Sequence, residues 1–211
     1  MSKPGIFETI KFDAGEYGLL GLHLKRFAAA ANFYGYGIDD LAVQDALARA
    51  AEQLQTGKAY RVRLLLDKSG IRVEASEYDK RKEPLSVRLR LVPHNVLSKA
   101  FSAEEWHYKS NRTVDMQGLK TAEEAGLFDF INVDADGYVL DGCRSNVYIQ
   151  AGDELFTPPL KVGVLAGVYR EFLIKQGKAR ERNITRDELF AADKVFLSNS
   201  LIGLALAELG K

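Results

Sequence analysis

The chain has 211 residues, 46% of them hydrophobic and 27% charged, which suits a globular protein of one large or two small domains. Its 29 basic and 29 acidic residues leave a formal net charge of zero, so nothing electrostatic favours nucleic acid or an anionic membrane as the main partner. The single Cys143 excludes an internal disulfide. No apolar run approaches the roughly 20 residues of a membrane helix, and Met1–Gly5 has no signal-peptide core, so a cytoplasmic chain is expected.

Ile6–Phe12 alternates apolar and polar residues as a strand does, and ends at the Asp13-Ala-Gly15 turn. Tyr17–Leu22 reads as the returning strand of a hairpin. His23–Tyr34 has helical spacing at Leu24, Phe27, Ala28 and Ala31, and Gly35 and Gly37 stop it. Asp39 or Asp40 can cap a helix over Leu41–Gln55, which Gly57 ends. Ala59–Asp67 and Gly70–Tyr78 alternate around Lys68-Ser-Gly70, a predicted hairpin. These elements make a small α/β unit over 1–78.

Asp79–Pro84 is charged, lacks apolar residues and ends in proline, so it reads as a linker. Residues 85–211 form the larger unit. Strands are expected over Ser86–Val92, Phe128–Val133, Tyr138–Leu140, Asn146–Gln150, Glu154–Thr157 and Lys194–Leu197, with helices over Val168–Lys175 and Arg186–Ala192 and a terminal apolar segment.

Chemistry enters first by exclusion. His23, His94 and His107 are scattered, and no Cys/His cluster has zinc spacing, so no metal site is expected. No Gly-x-Ser-x-Gly elbow and no Walker-type loop occurs. The informative stretch is Gly163-Val-Leu-Ala-Gly-Val-Tyr-Arg170, which follows a predicted strand and turn and opens a predicted helix. Glycines let a guest approach the backbone, and a helix start offers unpaired N–H groups with a positive dipole end. That combination suits a phosphate; the same residues also suit a helix merely entered through a glycine turn. A phosphate-carrying cofactor without a nucleotide motif is the chemistry left open.

Several further segments then resemble one family in order and spacing. They are Phe7-Glu-Thr-Ile10, His23-Leu-Lys-Arg26, Tyr108-Lys-Ser-Asn-Arg112, Asp141-Gly-Cys-Arg-Ser-Asn146, Thr157-Pro-Pro159 with Gly163–Arg170, and Val195–Ser200. Together they resemble the class IV pyridoxal-phosphate enzymes, which include branched-chain and D-amino-acid aminotransferases and 4-amino-4-deoxychorismate lyase. The resemblance implies an α/β (α+β) two-domain fold, short at its N-terminus. It also implies pyridoxal 5'-phosphate as cofactor, a small-molecule amine as substrate, and a homodimer whose site lies between domains, with Lys109 on the larger one.

The resemblance further implies roles residue by residue. Lys109 would form the Schiff base and move protons at the substrate Cα. Asp141, where most relatives have Glu, would keep the pyridine nitrogen protonated. Arg26 would bind the phosphate, with backbone N–H groups of Val168 and Tyr169 and the hydroxyl of Ser200. Leu165 would pack on the ring, and Arg61 or Arg63, which alternate onto one strand face, would meet a substrate carboxylate. Read without the resemblance, Lys109 suits a surface lysine, Asp141 a turn, and the two arginines surface ion pairs. Ala166 replaces a usual proline and Tyr169 a frequent threonine. The C-terminal texture is most similar to lyase members, implying conversion of 4-amino-4-deoxychorismate to 4-aminobenzoate and pyruvate in folate biosynthesis. An amino-acid aminotransferase and a non-catalytic cofactor-binding relative are the alternatives.

Overall fold

The computed structural model describes residues 3–79, 83–92 and 104–210. Residues 80–82 of the expected linker, and His94, lie outside them. The chain divides into two compact units, Met1–Lys80 with Tyr108–Thr113, and Arg81–His107 with Val114–Lys211.

In the first unit, β1 (Ile6–Asp13), β2 (Glu16–Tyr17), β3 (Tyr60–Asp67) and β4 (Gly70–Glu77) form an antiparallel sheet in the order β2-β1-β3-β4. Helices α1 (Leu20–Phe33) and α2 (Asp40–Glu52) supply its other core side chains. Alternation along β1 and β3 sends Ile6, Ile10, Val62 and Leu64 into that core with Phe27, Val43 and Leu47. Asp39 caps α2 by accepting from the amides of Leu41 and Ala42.

The β1–β2 turn uses positive φ at both Ala14 and Gly15, the backbone twist that two-residue hairpins need. The expected returning strand Tyr17–Leu22 is not formed beyond Tyr17. Leu19 takes a left-handed conformation (φ 52°) and starts α1 at Leu20. The reason is legible afterwards: Leu20, Leu24, Phe27 and Ala31 continue one helical stripe backward by a turn.

The second unit holds an eight-stranded mixed sheet. Its strands are β5 (Leu85–Leu91), β6 (Asp129–Val133), β7 (Val139–Gly142), β8 (Asn146–Ala151), β9 (Glu154–Thr157), β10 (Arg180–Glu181), β11 (Lys194–Asn199) and β12 (Gly203–Leu209), in the order β10-β9-β8-β11-β12-β5-β6-β7. Pairs β5–β6, β5–β12 and β9–β10 are parallel and the rest antiparallel. Helices α3 (Met116–Glu124), α4 (Val168–Lys175) and α5 (Arg186–Ala191) complete it. No element was expected where α3 lies; Asp115 caps it through the amide of Gly118.

Residues Asn146–Ile149 of β8 are all buried, because both faces of that strand are covered. Val147 and Ile149 join the main core with Val87, Ile131 and Leu197. Tyr148 packs on the other face with Leu173 of α4. A central strand buried on both sides is a rigid base, and its first residue, Asn146, belongs to the motif around Asp141.

Candidate active site

The first unit gathers Lys109 with cations and one buried carboxylate. Segment 108–113 lies against β1, with an Ile6–Ser110 bridge and the Phe7 amide donating to the Lys109 carbonyl at 3.1 Å. Lys109 was expected on the larger unit, but this pairing ties its backbone to the smaller one. Lys109 Nζ donates to Thr9 Oγ1 at 3.0 Å and sits 5.0 Å from the Phe7 ring centroid. Thr9 pairs with Arg63 and Lys11 with Arg61 across β1 and β3, so these side chains share the sheet face that carries Phe7. The Arg63 guanidinium lies 4.6 Å from the same ring centroid. Burial, followed by the charge of Arg26, pushes the Lys109 amine down to about 7, with Glu8 opposing and Arg63 and Arg61 assisting.

Glu8 occupies an inward position between Ile6 and Ile10 and is 1% exposed. Its carboxylate accepts from Arg26 Nε at 2.8 Å and Nη2 at 2.6 Å, and from His23 Nδ1 at 2.7 Å. His23 and Arg26 stand three residues apart on α1, one turn along the same face. Burial opposes ionisation of Glu8, but Arg26 and His23 outweigh it and bring its pKa to about 2. Burial holds His23 below its usual value, against the pull of Glu8. A neutral His23 then donates through Nδ1, and its buried Nε2 has no hydrogen-bond partner. Arg26, the expected phosphate ligand, thus gives its Nε edge to Glu8. Glu8 itself was not singled out as a site residue, although a glutamate at an inward position of an alternating strand is the signal that could have found it.

The second unit gathers the remaining candidates. Asp141, near the end of β7, accepts from the amide of Leu165 at 2.9 Å. Burial raises its carboxyl to about 7, with Asp129 reinforcing, while the Leu165 amide and Arg170 oppose. Asn146 donates to the Leu165 carbonyl at 2.9 Å, and the Gly167 amide donates to the same carbonyl at 2.8 Å. Gly167 is the N-cap of α4 and offers no side-chain cap, so the first amides of that helix, including those of Val168 and Tyr169, receive none. A Cβ on Gly167 would overlap Asn146 Oδ1. Tyr169 turns toward Gly203, whose φ of 71° is the left-handed region; a Cβ there would lie 3.5 Å from Tyr169 Oη. Asn199 Oδ1 accepts from the amides of Leu201 and Ile202, so the turn that carries Ser200 is held from within.

One organiser escaped the sequence. Asp129 is fully buried and accepts from the Cys143 amide at 2.8 Å, the Arg144 amide at 3.2 Å and Ser145 Oγ at 2.5 Å. It thereby fixes the 141–146 segment that presents Asp141. Arg170, buried on α4, donates to the Pro158 carbonyl at 2.8 Å and pairs with Glu181, which holds the Thr157-Pro-Pro turn next to that helix. Cys143 is buried and pushed up to about 12, so it stays a thiol. Among the described residues no group of His, Cys, Asp or Glu could hold a metal, and no helix is long and apolar enough to cross a membrane.

These features define a class of protein: a mixed-sheet fold with a partly buried lysine among cations in one unit and, in the other, an acid bonded only to backbone amides beside an uncapped glycine-entered helix. The family model for class IV amino-transferases matches residues 5–207, and the chain belongs to that family. Similar proteins carry two kinds of name. Over 220 residues the chain is 27% identical to the "Putative aminodeoxychorismate lyase" of Schizosaccharomyces pombe, with 95% of this chain and 87% of that protein covered. Over 84 residues it is 33% identical to the branched-chain-amino-acid aminotransferase of Escherichia coli, with 37% of this chain covered; the match spans only 27% of that enzyme's length. Among solved structures, a hypothetical aminotransferase from Mycobacterium tuberculosis, in its alpha-ketoglutarate and PMP bound form, is 26% identical with a TM-score of 0.82, covering 98% of this chain and 81% of that one.

Proposed function

We propose that this chain is a pyridoxal-phosphate-dependent enzyme that acts on a small primary amine through Lys109. The carrying observation is that, among the described residues of the first unit, the partly buried Lys109 amine is held against Thr9 and Phe7, where burial and the charge of Arg26 bring it down to about 7. An amine must be neutral to join a carbonyl, and an ordinary lysine near 10.4 is rarely so at neutral pH.

Three features support this cofactor, each within its own unit. Lys109 is an amine brought down to about 7. Asp141 is a partly buried carboxyl bonded to backbone amides. The N-terminus of α4 has donors and no side-chain cap. Pyridoxal phosphate, when bound, supplies an electron-poor ring that acidifies the hydrogen on the substrate Cα. Lys109 would hold the cofactor and carry the proton taken from that carbon. Asp141 would be drawn into its ionised form by a protonated ring nitrogen, which returns it toward an ordinary acid. Amides of Val168 and Tyr169, the Ser200 hydroxyl and Arg26 would hold the phosphate. Leu165 would cover one ring face, and Arg61 and Arg63 would orient a substrate carboxylate on the Phe7 side of the sheet.

Among members of this family we favour 4-amino-4-deoxychorismate lyase, releasing 4-aminobenzoate and pyruvate. Its support is the likeness to a lyase-named protein over 95% of this chain. An amino-acid aminotransferase is the second reading, favoured by the solved aminotransferase that covers 98% of the chain. A cytoplasmic homodimer completes the proposal, and sedimentation of the purified chain tests the dimer. Pyruvate release from aminodeoxychorismate without added keto acid decides between the two reactions; amino transfer that requires a keto acid removes the lyase. Lys109→Ala should lose the visible absorbance of bound cofactor, the borohydride-fixed adduct and all turnover. Retention of the adduct would show that another lysine carries it.

A further inference from the structure

The buried Glu8–His23–Arg26 cluster lies just behind the strand residues that touch Lys109, yet the reaction needs only Lys109 and a phosphate ligand. Phe7 and Thr9, which contact the Lys109 amine, flank Glu8 in sequence, and Glu8 points to the opposite face of the sheet. The carboxylate, 1% exposed, takes two bonds from Arg26 and one from His23. Burying one cation beside the amine would force it neutral at every useful pH. Burying one anion there would lock it protonated. A bonded pair of opposite charges does neither.

We propose that Glu8 is a positioning residue for the Lys109 amine: by holding Arg26 in a buried bidentate pair, it sets how much of that cation's field reaches Lys109 and so places the protonation midpoint of the amine. The charged and titratable groups whose fields reach Lys109 are Glu8 from β1, with His23 and Arg26 from α1, behind the strand, and Arg61 and Arg63 from β3. Burial holds His23 below its usual value, and it stays bonded to Glu8. Arg61 is exposed and Arg63 partly so, and water screens both. The Glu8–Arg26 pair is the buried element whose halves pull in opposite directions, Arg26 lowering the midpoint and Glu8 raising it. The inference rests on Lys109 being the functional amine but does not require the cofactor for its test.

The test uses the full chain, freed of carbonyl compounds with hydroxylamine. Trinitrobenzenesulfonate modification of Lys109 is followed by peptide mass spectrometry as a function of pH. Glu8→Gln should move the midpoint of Lys109 labelling down by about one pH unit, and Arg26→Gln should move it up by about one. Glu8→Asp should restore most of the wild-type midpoint. If a single variant does not fold, the double variant E8Q/R26Q, which buries no unpaired charge, should label with a midpoint near that of the wild type. Unchanged midpoints in folded single variants, shifts of the same sign, or a double variant displaced by a full unit would each overturn the proposal. Failure of pyridoxal phosphate to form a borohydride-fixed adduct at Lys109 in the wild type would instead overturn the cofactor reading and leave the midpoints to be read as before.

Discussion

Glu8 is a carboxylate taken fully out of water and Asp141 one taken out in part, and their surroundings drive them in opposite directions. Glu8, in the smaller unit, meets a guanidinium and an imidazole N–H and falls to about 2. Asp141, in the larger unit, meets backbone amides, that of Leu165 and its own, and rises to about 7. Burial alone raises both; the difference is the partner. A carboxylate that already owns its cations is structural scaffolding for something else. One bonded to neutral N–H groups is waiting for positive charge, and it marks where a cationic ligand group would be stabilised. That contrast separates the roles of the two acids, which composition could not do.

The largest stability effect should come from breaking the satisfied acid. Glu8→Gln takes from the partly buried Arg26 the charge of Glu8 and should cost about 3 kcal/mol, read by urea unfolding at pH 7. In the wild type the Glu8 contribution is present above its unfolded value near 4.5 and is lost as pH falls toward 2, so the penalty of the variant should shrink over that window. A variant as stable as the wild type at pH 7 would show that the pair contributes nothing net.

The waiting acid should respond with the other sign. Asp141 has its folded value raised above 3.8, so its native carboxyl stays protonated while the unfolded one ionises, and stability of the cofactor-free protein should decline as pH rises from about 4 to 7. Asp141→Asn removes that decline and should raise cofactor-free stability above pH 7 by about 2–4 kcal/mol, while lowering activity of the loaded enzyme. Parallel pH dependences for the variant and the wild type would contradict an unpaired acid at this position. The smallest effect should be Gly167→Ala. Its Cβ overlaps Asn146 Oδ1, so Asn146 must release the Leu165 carbonyl, at about 1–3 kcal/mol. Cofactor affinity should fall along with stability, and equilibrium binding of pyridoxal phosphate checks it. Unaltered affinity would separate the helix entry from the phosphate.

Much of this was readable in order along the chain. Alternation alone places β1, β3 and β4 to within a residue or two, because a sheet with one buried face imposes period 2 on its side chains. The Asp39 cap and the start of α4 after Gly167 are local events, decided by side-chain oxygens and glycine geometry within one turn. Motif order carried the family and named Lys109, Asp141 and the entry to α4. The tertiary structure decided the rest. It joined segment 108–113 to β1, a pairing across about a hundred positions that no local pattern encodes. It turned Arg26 onto Glu8, since a guanidinium under a sheet must find a carboxylate there. It put Asp129 beneath the 141–146 segment, where a buried acid can be satisfied by amides from a neighbouring strand end. Periodicity and capping depend on residues a few positions apart and so survive in the sequence. Charge pairing and desolvation depend on which distant segments meet, and only the folded chain determines that.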